Sequence, residues 1–160
     1  MEKVFVGKIV STHGIKGEVK ILSDFEYKNR VFAVGKKLII DEVEYTIKSY
    51  RRHKNFEMVT LNDFNNINDV LFLMKKKVYI NKSDIALSDN EVFDDELVTY
   101  NVRSIDGKVG CVKEVFFASS DNKILRVLFE KEVLVPMNSP IIKEINKNKK
   151  EILIELINGM

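Results

Sequence analysis

Val6-Gly7-Lys8-Ile9-Val10-Ser11-Thr12-His13-Gly14-Ile15-Lys16-Gly17-Glu18-Val19-Lys20-Ile21 holds two apolar-alternating runs with a glycine-punctuated turn between them. In Lys3–Val10, Val4 and Val6, with Lys8 in phase, alternate with Phe5, Gly7 and Ile9. In Gly17–Leu22, Val19 and Ile21 alternate with Glu18 and Lys20. A period of two is the signature of a strand. Gly14 and Gly17 then mark a structural turn that needs positive φ or close backbone approach. The plainest reading is a β-hairpin opening a barrel.

Working outward, the rest of the first half also reads as strands. Lys37–Asp41 and Val43–His53 meet at a tight turn near Asp41-Glu42, and Phe56–Leu61 follows. Cys111, in the strand-like run Val109–Val115, reads as a small buried hydrophobe. Asn66–Met74 is the best helix candidate, with Asn66 or Asn68 as cap. Its Ile67, Val70, Leu71 and Met74 fall at i, i+3, i+4 and i+7, one apolar stripe. A short strand, Lys77–Ile80, closes this half. Asn81–Asn90 is polar and turn-prone, which suggests residues 1–82 as one domain, 83–90 as a linker and 91–160 as a second domain. There, Glu91–Glu96 allows a single helical turn, and Val98–Ile105 and Val109–Phe117 flank Asp106-Gly107, a strong hairpin signal. Lys123–Phe129, Glu132–Pro136 and Glu151–Ile157 are further strands, with a polar loop at Ser119–Lys123. The expected fold class is all-β, two small barrels joined by a short linker.

Charge is uneven although its total is only +2. From Asp84 to Glu96 there are six acids and no Lys or Arg, so the remainder carries 26 bases against 18 acids, a net of +8. Such a chain can face one anionic and one cationic partner. Lys48, Arg51, Arg52, His53 and Lys54 gather at one strand end near Tyr50 and Phe56, and Lys8, Lys16 and Lys20 flank the first hairpin. Lys75–Lys77 and Lys143, Lys147, Lys149 and Lys150 add two more groups. Cations neutralise phosphates and aromatics offer bases a stacking surface.

Enzyme chemistry finds no support in the motifs. There is no Walker loop, no Gly-x-Ser-x-Gly elbow and no dinucleotide fingerprint. His13, His53 and Cys111 lack metal-ligand spacing, so no metal and no cofactor is expected. Asp94-Asp95 reads as a solvated turn rather than an acid pair. A single cysteine, no signal-peptide core and no apolar run near the ~20 residues that span a membrane point to a cytoplasmic protein without membrane contact.

The opening stretch resembles the signature of the RimM family of bacterial ribosome maturation factors. Arg51-Arg52-His53-Lys54 sits where that family has a short basic, His-containing run, and Asn65–Ile80 is similar to its helix-then-strand segment. Leu97, Asp106-Gly107 and Gly110 match the start of its PRC-barrel domain, with Asn122, Ile124, Leu125, Val127 and Val133–Pro136 similar to later strands and Leu156–Met160 to its closing piece. Departures are Val92-Phe93 for an aromatic pair, Thr99 for a glycine, Val70 and Lys75 for an Ala and a Gly, and Ile157 for a proline.

The resemblance implies a translation-factor-like barrel followed by a PRC barrel. It also implies a non-enzymatic, monomeric assembly factor. That factor would bind the head of the immature small ribosomal subunit, at ribosomal protein S-nineteen and nearby 16S rRNA, and promote maturation of the 3′ domain. On this reading His13, Lys16, Lys20, Arg51, Arg52, His53 and Lys54 are the rRNA-binding candidates. Val92, Phe93, Asp94 and Asp95 are the ribosomal-protein-binding candidates, and Gly107 joins Gly14 and Gly17 as a structural turn. The alternative is a PRC-barrel scaffolding or regulatory protein unrelated to ribosomes.

Overall fold

The computed structural model describes residues 2–119 and 122–157. The expected closing piece Leu156–Met160 and the loop Ser119–Lys123 therefore lie partly outside the described residues. The chain divides into two compact units, Met1–Ala86 and Leu87–Met160.

The first unit is a closed barrel of six strands: β1 (Lys3–His13), β2 (Glu18–Leu22), β3 (Lys37–Ile40), β4 (Val43–His53), β5 (Phe56–Leu61) and β6 (Lys77–Asn81), in the order β1-β2-β5-β4-β3-β6. Closure leaves no strand edge to pair elsewhere. β1 makes closure possible by serving two neighbours. Its Lys3–Lys8 half pairs with β6 and its Lys8–His13 half with β2. Val6 and Val10 are each an extra residue in those ladders. Such bulges bend a long strand and increase its twist. They also overturn the simple alternation expected here: Val6 and Ile9 are both buried, while Phe5 and Lys8 face out. At the β3–β4 turn Asp41 and Glu42 both have positive φ, the conformation that matches strand twist in a two-residue hairpin.

The helix candidate is shorter than expected. Asn66 caps it, accepting from Asn68 N at 2.9 Å, but α1 (Ile67–Val70) gives way to a 3-10 turn over Leu71–Leu73. A 3-10 turn repeats every three residues, so the buried pair becomes Val70 and Leu73. Leu71, placed on the core stripe by helical spacing, is instead half exposed, as is Phe72.

The second unit holds α2 (Asp94–Leu97), β7 (Asn101–Ser104), β8 (Val109–Ser119), β9 (Asn122–Leu128), β10 (Glu132–Pro136), β11 (Ile142–Asn146) and β12 (Glu151–Ile154). Its sheet runs β10-β9-β8-β7-β12-β11, with β12 parallel to β7. Val133 and Val135 at one end and Ile142 and Ile145 at the other pack on one core with Leu97, Tyr100, Val102 and Ile152, so the sheet is barrel-like. β11 escaped the sequence reading because a bulge between Ile142 and Glu144 breaks its period of two. Cys111 is exposed, not buried as expected. It pairs with exposed Asn101 and Leu128, and Val112 takes the core position beside Val127.

Candidate functional site

Ladder register decides which cations of the first unit meet. Paired residues of an antiparallel ladder project to the same side, and neighbours along a strand to opposite sides. His13 pairs with Glu18, Ser11 with Lys20, Lys20 with Met58, Met58 with Arg51, and Phe56 with His53. All of these therefore lie on one side of β1-β2-β5-β4, facing away from Val19, Ile21 and Val59, with Met58 fully covered by its neighbours there. Their contacts agree. The His13 and His53 rings are 5.7 Å apart, and Lys20 Nζ stands 5.2 Å over the Phe56 ring. Arg51 donates two hydrogen bonds to Glu18, Nε to Oε2 at 2.9 Å and Nη2 to Oε1 at 2.8 Å. Lys54, in the β4–β5 turn with φ 57, sits at the rim.

Arg52 separates from this group. It pairs with Glu57, whose other ladder partner is the core residue Ile21. The run Arg51-Arg52-His53 is thus split between two sides of the ribbon. Glu57 is only 2% exposed. Tyr50 Oη donates to its Oε1 at 2.8 Å, Arg52 Nε lies 3.9 Å from Oε2, and Oε2 itself has no hydrogen-bond partner. Burial, then the bond to Glu57, pushes the Tyr50 phenol up to about 12.

Electrostatics on the outer face follow from that crowding. The Arg51 hydrogen bonds hold the Glu18 carboxyl below its usual range. His53 is held below the ordinary imidazole value, by desolvation first and then by Arg51, Lys54, His13 and Lys20. A phosphate placed here would relieve the repulsion among these groups.

The β1–β2 turn carries Lys16 at the surface. Gly14 and Gly17 have φ 68 and 87, and a Cβ on Gly17 would stand 3.0 Å from the Phe64 carbonyl oxygen. Ile67 N donates to Ile15 O at 2.9 Å, so the turn is tied to the start of α1. Gly107 has φ 97 in an open turn.

The acidic candidates are divided by burial. Val92 belongs to the core of the second unit and Phe93 is 7% exposed, so neither offers a surface anchor. For Val92 the reason is local: it precedes α2 and packs into that core. Asp94 and Asp95 remain exposed in the first turn of α2, with Asp94 2.5 Å from the Nζ of buried Lys123. Among the described residues no group of three His, Cys, Asp or Glu could hold a metal ion, and no helix is long and apolar enough to cross a membrane.

Comparison with known proteins extends these observations. The family model described as RimM N-terminal domain matches residues 4–85, and that described as PRC-barrel domain matches residues 89–160. Ribosome maturation factor RimM of Staphylococcus aureus, in strains JH9 and N315, is 33% identical over 165 residues, covering 99% of this chain and 98% of the relative. Among solved structures, a Pseudomonas aeruginosa RimM described as a 16S ribosomal RNA processing protein is 18% identical with a TM-score of 0.49, covering 99% of this chain and all of its own. The N-terminal domain of RimM from Thermus thermophilus is 15% identical with a TM-score of 0.46, covering 54% of this chain and 98% of its own.

Proposed function

The chain belongs to the RimM family of ribosome maturation factors, and from that premise we propose that it is a non-enzymatic assembly factor that docks on the head of the immature small ribosomal subunit. There the first barrel meets 16S rRNA and the second meets ribosomal protein S-nineteen, favouring maturation of the 3′ domain. The observation that carries the reading is the outer face of β1-β2-β5-β4, where His13, Lys20, Arg51 and His53 converge beside Lys54. Phosphate neutralisation is the use such a face fits best. Arg51 is already held by Glu18, so Lys20, Lys54 and the two histidines carry the free part of the interaction. On the second domain, exposed Asp94 and Asp95 suit a basic protein surface.

Paired charge reversals test the two halves separately. Lys20→Glu with Lys54→Glu should abolish binding to small subunits at low salt. Asp94→Lys with Asp95→Lys should abolish binding to isolated ribosomal protein S-nineteen. Unchanged binding by either double variant would sink its half of the proposal.

A further inference from the structure

On the opposite side of β1 the barrel presents a second surface, where Lys8 of the first-hairpin group meets Lys77 of the Lys75–Lys77 group. The Phe5–Tyr79 and Lys8–Lys77 pairs of β1 and β6 are in register, so all four side chains share the outer face. Phe5 is 51% exposed and meets Tyr79 edge to face at 5.7 Å. Lys8 and Lys77 are both exposed, and neither makes an ion pair among the described residues. Like charges directly opposite on a ladder have Cβ atoms about 5 Å apart and repel. Their neighbours Lys3 and Lys76 pair with Glu42 and Asp41 respectively, and Lys3 Nζ also stands 5.4 Å over the Tyr79 ring, which leaves Lys8, Lys77 and the adjoining exposed Lys75 without a carboxylate partner among the described residues.

An exposed ring beside two unneutralised cations on a sheet has a specific complement. A purely apolar protein segment would leave the lysines unpaired, and a basic ribosomal protein would add to their repulsion. A nucleotide of unpaired RNA satisfies both parts, with its base on the Phe5 ring and its phosphate between the two ammonium groups. We propose that Phe5, Tyr79, Lys8 and Lys77 form a single-stranded RNA contact, separate from the His13–His53 face. It rests on the rRNA reading above. Lys8 also pairs with Leu22, two residues beyond Lys20 on β2, so the two surfaces adjoin and one RNA segment can cross from one to the other.

The test uses the full chain and fluorescence anisotropy with a short labelled oligoadenylate and an RNA duplex of equal length. Phe5→Leu keeps apolar bulk and removes the ring. It should weaken oligoadenylate binding about 5- to 150-fold, the range of one base–aromatic stack, and leave the duplex within about twofold. Lys8→Gln with Lys77→Gln should lower the salt slope for oligoadenylate by up to about 1.4. That pair should keep or raise the melting midpoint, because repulsion is removed. Oligoadenylate affinity within about twofold of the parent for Phe5→Leu, or an equal loss on duplex, would overturn the proposal. So would loss of small-subunit binding by Phe5→Leu with oligoadenylate binding intact, which would assign the face to a protein. Unaltered protein that fails to sediment with small subunits yet shows the Phe5 effect on oligoadenylate would refute the ribosomal reading and leave this contact standing.

Discussion

Replacing Tyr50 with phenylalanine removes one oxygen and should cost the first domain about 2 kcal/mol, within the range for a hydrogen bond to a charged group. The ring stays, so packing is conserved. What is lost, among the described residues, is the only hydrogen bond that the buried Glu57 carboxyl group receives from a side chain, at 2.8 Å. Arg52, at 3.9 Å and itself half exposed, offsets part of the uncompensated charge. Arg51→Met breaks a better-looking interaction, two short bonds to Glu18. That pair is partly solvated, with Arg51 48% exposed, so its loss should cost less than loss of the Tyr50 hydroxyl. Native-state hydrogen exchange of the β4 and β5 amides reads this domain independently of the other. A 2 kcal/mol loss speeds exchange about 30-fold. With Glu57→Gln already present, Tyr50→Phe should cost less than half as much. The phenol also makes this stability depend on pH. A folded pKa raised to about 12 gives stability that is whole below the unfolded value near 10 and is lost as pH rises through 12. Tyr50→Phe should lack that alkaline loss. Exchange rising less than about threefold, or full additivity with Glu57→Gln, would refute the assignment of Glu57 as a buried carboxylate held by Tyr50.

Gly17→Ala should destabilise by about 2 kcal/mol or more, since positive φ and a 3.0 Å approach to the Phe64 carbonyl both oppose a methyl group, whereas Gly14→Ala meets open space and should cost about 1 kcal/mol; urea midpoints rank them. Glu18 has a depressed folded pKa, so its contribution is present above the unfolded value and lost as pH falls through the folded one; Glu18→Gln should flatten that part of the acid unfolding curve. His53 is also depressed, so its contribution to stability is whole above pH 6.5 and declines as pH falls below it. RNA favours the protonated imidazole, so RNA affinity should rise as pH falls through the same window and should do so less in His53→Asn, as measured by anisotropy at fixed ionic strength.

The strands and tight turns were legible because they obey local rules. Val19 and Ile21 alternate cleanly, and both lie in the core. What the sequence hid was phase. Val6 and Val10 are extra residues in their ladders, and nothing in a row of apolar side chains says which one will be skipped. The same uncertainty moved Cys111 outward and Val112 inward. At Leu71 the expected helical stripe failed because the turn tightened to 3-10, a choice made by packing of Val70 and Leu73. The basic run Arg51–Lys54 was visible as composition, but its division was not. Only pairing with β5 puts Arg52 beside Glu57 and His53 beside His13. Val92 looked like a partner-facing residue from its place in the family pattern, and its position in the core of the second unit assigns it to structure instead; Phe93 is buried as well. Phe5 and Tyr79 gave no signal in the sequence, since they are 74 residues apart and meet only through closure of the barrel.

Co-sedimentation of the unaltered chain with free small subunits, mature ribosomes and large subunits, across a salt series, tests the central claim most directly. Binding to free small subunits alone, weakening as salt rises, is the predicted result. Absence of binding to small subunits at every salt concentration would contradict it.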